Sequence, residues 1–386
     1  MNCPKLSNGA IALVCLVAVL AGRLSAAEAL VYIGTYTGAR SQGIYVAHFD
    51  DRTGTLSKPE LAAETKNPTF LAAHPKESVL YAVGEVDDFG GKRVGSVSAF
   101  RIQEKSGKLS LLNRQPSGGT GPCHLAVDQT GHCLLVANYG SGSIAALPIQ
   151  SDRHLEAPSS VIQHHGKSAD PLRQEGPHAH HITVDPANRF VLTCDLGLDQ
   201  VLVYRLDPHK GVLEPSTGPF ASLKAGAGPR HLVFHPNGRT VYVINEMGSS
   251  ITAFDYDAGG GKLAEVQTLS TLPEDFKAEN TCAEVQVHPS GKFVYGSNRG
   301  HNSIAIFEVN SGTGKLRAVG HQATGGKTPR HFGLDPSGKW LLAENQDSDS
   351  IVVFALDSGG STLRDIGRRI EVGAPVCIAF VPITSF

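Results

Sequence analysis

The stretch PRHLVFHPNGRTVYVINEMGSSI, Pro229 to Ile251, decides the architecture because the chain repeats it. A proline or small residue, an apolar run, a turn, a second apolar run with a polar end, and Ser-Ile recur in the same order elsewhere. The copies are PCHLAVDQTGHCLLVANYGSGSI from Pro122, CAEVQVHPSGKFVYGSNRGHNSI from Cys282 and PRHFGLDPSGKWLLAENQDSDSI from Pro329. Weaker copies begin at Pro68 and Pro177, and a truncated one, PVCIAFVP, begins at Pro375. Each block carries about four strand-length runs and cannot bury both faces of a sheet alone, so the blocks must stack around a common axis. The pattern predicts an all-β, seven-bladed β-propeller with four-stranded blades.

Within a block the two apolar runs read as strands A and B. They are joined by turns such as His235-Pro-Asn-Gly238, His288-Pro-Ser-Gly291 and Asp335-Pro-Ser-Gly338, where proline followed two residues later by glycine is the chemistry of a tight hairpin. Strand C follows as Ser-Ile-x-x-Phe (Ser250 to Phe254, Ser303 to Phe307, Ser350 to Phe354), and strand D follows a glycine turn ending in Lys-Leu or Thr-Leu. Strand A starts fall at positions 68, 122, 177, 229, 282, 329 and 375. The chain opens with Leu30 to Tyr36 and Gly43 to Phe49, which match strands B and C, and it ends on strand A alone. The N-terminal strands are therefore expected to complete the blade begun by the C-terminal one, closing the ring and removing two sheet edges.

Residues 1–27 read as an export signal: Lys5 in a short leading region, the apolar run Ala10 to Ala21, and small residues Ser25, Ala26, Ala27 and Ala29 at a cleavage position. Twelve apolar residues are too few for a membrane anchor. The expectation is an exported, periplasmic or secreted protein, free of the membrane after cleavage, with 28–386 forming one propeller domain and acting as a monomer. A net charge of −2 and the lack of any Lys/Arg run argue against nucleic acid and anionic membrane as partners and leave a small molecule. Five cysteines follow the signal, Cys123, Cys133, Cys194, Cys282 and Cys377; an odd number with no CxxC reads as buried packing residues rather than a disulfide framework.

In an antiparallel blade the start of A and the end of B share one face of the disc with the start of C and the end of D. The long insertions Val86 to Gly95, Gln163 to His178 and Ser270 to Thr281 all fall there, and elaborated loops on one face of a scaffold mark a binding face. Aligned on the turn prolines, the start of A carries Thr69, Cys123, His180, Arg230, Ala283, Arg330 and Val376, and the end of B carries Glu85, Tyr139, Leu196, Glu246, Arg299, Gln346 and Tyr36. These positions change chemistry from blade to blade, as a site for an asymmetric substrate must. The Asn or Asp one residue earlier (Asn138, Asp195, Asn245, Asn298, Asn345) recurs and reads as structural, holding the B to C turn.

Arg230 and Glu246 face each other across one hairpin. They are either a plain intra-blade ion pair or, with His180 and Arg299 from the flanking blades, catalytic. Two arginines would keep Glu246 ionised and ready to deprotonate water and would hold an oxyanion, with His180 passing a proton to or from a leaving alcohol. The run Gly176-Pro-His178-Ala-His180-His181 suggests a metal only weakly, since zinc wants a third ligand and no neighbouring arginine; neither a metal nor another cofactor is expected. Strand alternation would send His178 and His180 one way and His181 the other unless a bulge intervenes. His164 and His165, in the long loop, read as solvated, the alternative being that they close over a ligand.

Taken together, Arg173-Gln-Glu-Gly-Pro-His-Ala-His180, Gly228-Pro-Arg-His231, Ile244-Asn-Glu246, Leu272-Pro-Glu-Asp-Phe276, Ser297-Asn-Arg-Gly300 and Thr328-Pro-Arg330 resemble the lactonase family of seven-bladed propellers. That family includes the bacterial propeller type of 6-phosphogluconolactonase and the fungal carboxy-muconate lactonising enzymes. The resemblance implies hydrolysis or formation of a lactone without a required metal, on a His, Arg, Glu and Arg set that falls on His180, Arg230, Glu246 and Arg299. It departs from the family at His331, where asparagine is expected beside Arg330. The expected function is hydrolysis of a sugar-derived lactone. Arg330, His331, Glu85, His178, Tyr139 and Gln346 are expected to bind that lactone or sugar acid. The alternatives are a non-catalytic propeller that binds a sugar acid or peptide, and a muconate-type cycloisomerase.

Overall fold

Tyr242 shows why one block needs the next. Its ring is fully buried, and its hydroxyl donates to the carbonyl of Gly314, 2.9 Å away in the following block. Tyr32 and Gly107 repeat the contact, also at 2.9 Å, between another pair of neighbours. A computed structural model describes residues 28–383, so the expected signal segment, 1–27, lies outside the described residues.

Seven antiparallel sheets form the ring. The fourth blade is representative: strand A is Pro229–Phe234, B is Thr240–Asn245, C is Ser250–Asp257 and D is Lys262–Ser270, paired in that order. Gly238, Gly291 and Gly338 sit at φ of 67°, 72° and 71° in the A to B turns, a left-handed conformation that favours glycine. The turns also dock: His235 Nε2 meets the carbonyl of Gly291 at 2.8 Å and His288 Nε2 that of Gly338 at 2.9 Å, each tying a blade to the next.

The core consists of apolar clusters between adjacent blades. Tyr242, Ile244 and Ile251 of blade four, for instance, pack on Val285, Val294 and Phe307 of blade five. The ring closes as the sequence predicts. The C-terminal strand Pro375–Pro382 pairs with the N-terminal strand Glu28–Thr35, and Glu28–Thr35 pairs with Gly43–Asp50. The recurring amides hold their turns: Asn245 Nδ2 donates to Ser250 and Thr252, Asn298 Nδ2 to Ser303 and to the carbonyl of Thr271. All five cysteines are free and buried. Among the described residues no helix is long and apolar enough to cross a membrane.

Candidate active site

Strand A of six blades carries an extra residue just as it enters the channel. The pairing jumps from Pro229–Asn245 to His231–Ile244, leaving Arg230 outside the ladder, and it jumps in the same way around His180 and Arg330. A bulge of this kind bends the strand and re-aims its side chains, so two consecutive residues both face the axis. Arg230 and His180 reach the upper layer, at the mouth; His231 and His181 fill a layer beneath. Strand alternation alone would have separated His180 from His181, and the bulge reverses that expectation.

At the mouth Glu246 is the centre of charge. Arg230 Nε and Arg299 Nη2 each lie 2.9 Å from its Oε2, and Arg173 Nη2 donates to Oε1 at 2.7 Å. The Glu246 side chain is 7% exposed and that of Arg230 3%, so the contact is desolvated, whereas Arg173, at 41%, faces solvent. Burial alone would raise the carboxyl, but Arg299, Arg230 and Arg173 outweigh it and hold the group down at about 2. Burial, and then the Arg299 and Arg330 charges, bring Arg230 down to about 10. Nε of Arg230 and of Arg299 is buried without a well-aligned hydrogen-bond acceptor.

The other expected residues distribute around this centre. Tyr139 stacks on His178 with ring centres 4.5 Å apart, and His178 Nδ1 donates to the Tyr139 carbonyl at 3.0 Å. His180 meets Tyr139 edge-on at 5.4 Å. Burial and then Arg230 and Arg330 push the His180 imidazole well below its usual range, so it is neutral. Glu85 accepts from the Tyr36 hydroxyl at 2.9 Å and from Thr69 at 2.5 Å, and Arg330 Nη2 donates to the same Tyr36 oxygen at 3.0 Å, which builds the opposite wall. Gln346 begins a short 3₁₀ turn, with its side-chain oxygen unpartnered.

Two placements differ from expectation. His331 does not line the mouth: it lies in the lower layer, where Nδ1 is 2.6 Å from Glu344 Oε2. His164 is buried rather than solvated, with Nδ1 2.6 Å from Asp195 Oδ2, a contact that anchors the loop. Asp195 Oδ1 also accepts from the His178 and Gly197 amides, at 2.8 and 3.0 Å. Gln174, fully buried, donates to the Leu196 carbonyl at 2.8 Å. These bonds fix the loop that delivers Arg173. Sequence reasoning misses the role of that arginine, because a loop residue outside the repeat has no counterpart in other blades.

The lower layer brings His124, His181 and His231 together, with their ligand-capable nitrogens within 4.8 Å of one another. Burial makes all three neutral, and both His181 nitrogens are unpartnered. The donor set nevertheless suits a divalent cation poorly. The His231 Nε2 lone pair already faces Arg230 Nη1 at 3.4 Å, and an ion there would sit beside the guanidinium charge. A wider furrow of about 850 Å³ lies between blades four and five, lined by Arg239, Asp255 and Asp257, but it buries no ionised cluster.

A closed propeller with an arginine-clamped carboxylate at the mouth of its channel defines a class of small-molecule enzyme or binder rather than a scaffold. Residues 30–380 match the family described as lactonase, 7-bladed beta-propeller, and the chain belongs to that family of 6-phosphogluconolactonase-like carboxylic ester hydrolases. It is 40% identical over 304 residues to 6-phosphogluconolactonase of Bacillus subtilis, covering 79% of this chain and 84% of that one. Identity to 6-phosphogluconolactonase of Formosa agariphila is 31% over 310 residues, covering 79% and 86%. The solved structure of the periplasmic gluconolactonase PpgL of Pseudomonas aeruginosa is 31% identical, with a TM-score of 0.86 over 92% of this chain and 99% of that one.

Proposed function

We propose that the protein hydrolyses an anionic sugar lactone at the channel mouth, with Glu246 carrying the proton. The observation that bears most weight is the three-arginine clamp on that one buried carboxylate. A group held near 2 is a weak base, but one of the three arginines that hold it there is free to move. Arg173 is half-exposed on a loop, and substrate oxygens that draw it away return basicity to Glu246.

Water attacks the lactone carbonyl carbon as Glu246 takes its proton. The carbonyl becomes an oxyanion beside Glu246, where the positive charge of the Arg230 and Arg299 guanidinium groups stabilises it. The bond from that carbon to the ring oxygen then breaks, and Glu246 returns the proton to the ring oxygen as it leaves as a hydroxyl. The open-chain acid finally ionises into solvent. His180, being neutral, holds a sugar hydroxyl by a hydrogen bond rather than donating a proton outright. A positioned base is worth roughly 10²–10⁴ in rate, and an oxyanion donor about 10²–10³.

The substrate's charge follows from the mouth. Arg173, Arg230, Arg299 and Arg330 crowd around Glu246 and Glu85, a local excess of positive charge that suits a phosphate or carboxylate on the sugar. We further infer that residues 1–27 direct export and are removed, as suits a relative of a periplasmic gluconolactonase. The test is proton release in a pH-stat from 6-phosphoglucono-, glucono- and galactono-lactones with the 28–386 protein. Turnover above the spontaneous rate, fastest for the phosphorylated ring, is expected. Heat of binding for the sugar acids with no turnover would replace the enzyme by a binder, and consumption of a muconate-like diacid without added water would replace it by a cycloisomerase.

A further inference from the structure

Below the mouth a run of buried polar contacts leads away from Arg230 and is not used by the chemistry above. Arg230 Nη1 lies 3.4 Å from His231 Nε2, and His231 Nδ1 lies 2.8 Å from Glu284 Oε2. The same Glu284 oxygen is 3.5 Å from His331 Nε2, and His331 Nδ1 is 2.6 Å from Glu344 Oε2. Four of the five residues sit in strands A of blades four, five and six, and Glu344 in strand B of blade six. All five are at most 5% or 6% exposed.

The direction of each bond is constrained. A guanidinium can only donate, so His231 Nε2 must accept, and its one proton must then sit on Nδ1 and point at Glu284. Burial holds Glu344 protonated well above the usual carboxyl range, so its hydroxyl donates to His331 Nδ1, and His331 Nε2–H points at Glu284 as well. Glu284 is thus the common acceptor of two imidazoles, and this arrangement is complete only while it is ionised. If Glu284 takes up a proton it becomes a donor toward His231 Nδ1. The His231 proton then shifts to Nε2 and faces the Arg230 N–H groups, donor against donor.

We propose that Glu284, acting through His231, is a positioning residue for Arg230, and that its ionised form holds the mouth in its working geometry. The inference rests on the lactonase reading of that mouth. The groups facing Glu284 are His231 and Arg230 from blade four, His331 and Glu344 from blade six, and the Cys377 thiol from blade seven. Burial is the largest influence on Glu284 and raises it; His331 and Arg230 oppose and Glu344 adds, leaving it at about 7. Activity therefore rises with pH through neutrality, where the usual carboxylates are already ionised.

The test is the pH profile of kcat/KM between pH 5 and 9, corrected for spontaneous opening, for wild type, Glu284→Gln and His231→Gln. Gln at 284 is neutral and isosteric, which keeps the layer filled. Both variants are expected to lose the limb near pH 7, with kcat down roughly tenfold to a hundredfold, the scale of a misplaced catalytic group, and KM within threefold. A limb that persists in both variants overturns the proposal, and so does a fall in kcat that is uniform across pH, since that is what a merely structural role produces. Wild-type turnover in the same series judges the lactonase reading separately. If it is nil, binding of 6-phosphogluconate followed by calorimetry over the same pH range carries the test: affinity that rises through pH 7 in wild type alone supports the positioning role, and a flat wild-type response overturns it.

Discussion

Replacing Glu246 with glutamine isolates what its charge contributes to the fold. The carboxyl falls from 4.5 to about 2 on folding, which corresponds to roughly 3 kcal/mol of stability at neutral pH. Its partners Arg230 and Arg299 are 3% and 12% exposed, so Glu246→Gln leaves two desolvated cations without a counter-charge. Breaking a buried pair from one side costs about 3–5 kcal/mol, which agrees with the first figure. For about 350 residues with about 2 cal/mol/K of unfolding entropy each, 3 kcal/mol lowers the melting midpoint by roughly 4 °C. Because the folded value lies below the unfolded one, the contribution is whole above pH 4.5 and is lost as pH falls toward 2. The assay is urea unfolding at pH 7, 4.5 and 3, checked for refolding, on wild type and Glu246→Gln. A variant as stable as wild type at pH 7, or a gap that widens in acid, would refute the clamp as a net stabilising charge cluster.

Arg173→Ala is expected to leave the melting point within about 2 °C, because an exposed partner contributes little, while kcat/KM falls at least tenfold through loss of the loop's hold on substrate; a thermal melt reads the first and steady-state kinetics the second. Asp195→Ala removes the acceptor for His164 and for the His178 and Gly197 amides and should cost roughly 3 kcal/mol or more in urea. Loosened delivery of Arg173 should then raise KM. The five cysteines, buried and with their thiols raised by burial, should react with Ellman's reagent only after unfolding; fast labelling of the native protein would contradict their placement.

The blades were legible because in blades four, five and six the turn proline and glycine recur at a fixed distance from Ser-Ile, so strands that begin at Pro229 and Pro329 could be placed from local chemistry alone. Ring closure was legible from the mismatch between the chain's two ends. Glu246, Arg230 and Arg299 were found because strand ends that repeat in position but differ in charge stand out when blocks are aligned. Arg173 was not, since it belongs to a loop with no repeat to align. The lower layer was hidden for another reason: strand alternation hides every second side chain, and only the bulge, a backbone feature with no residue signature here, turns His181, His231 and His331 toward the axis. His331 consequently left the substrate-binding set, and Glu284, which the aligned strand ends do not include, is the hub of a buried network.

The central claim is that one carboxylate at the channel mouth carries the proton in lactone opening. Its most direct measurement is kcat/KM for 6-phosphogluconolactone with wild type and Glu246→Gln, both confirmed folded by circular dichroism below the variant's melting point. The expected result is wild-type turnover well above the spontaneous rate and a loss of at least a hundredfold in the variant. Turnover by Glu246→Gln within twofold of wild type would contradict it.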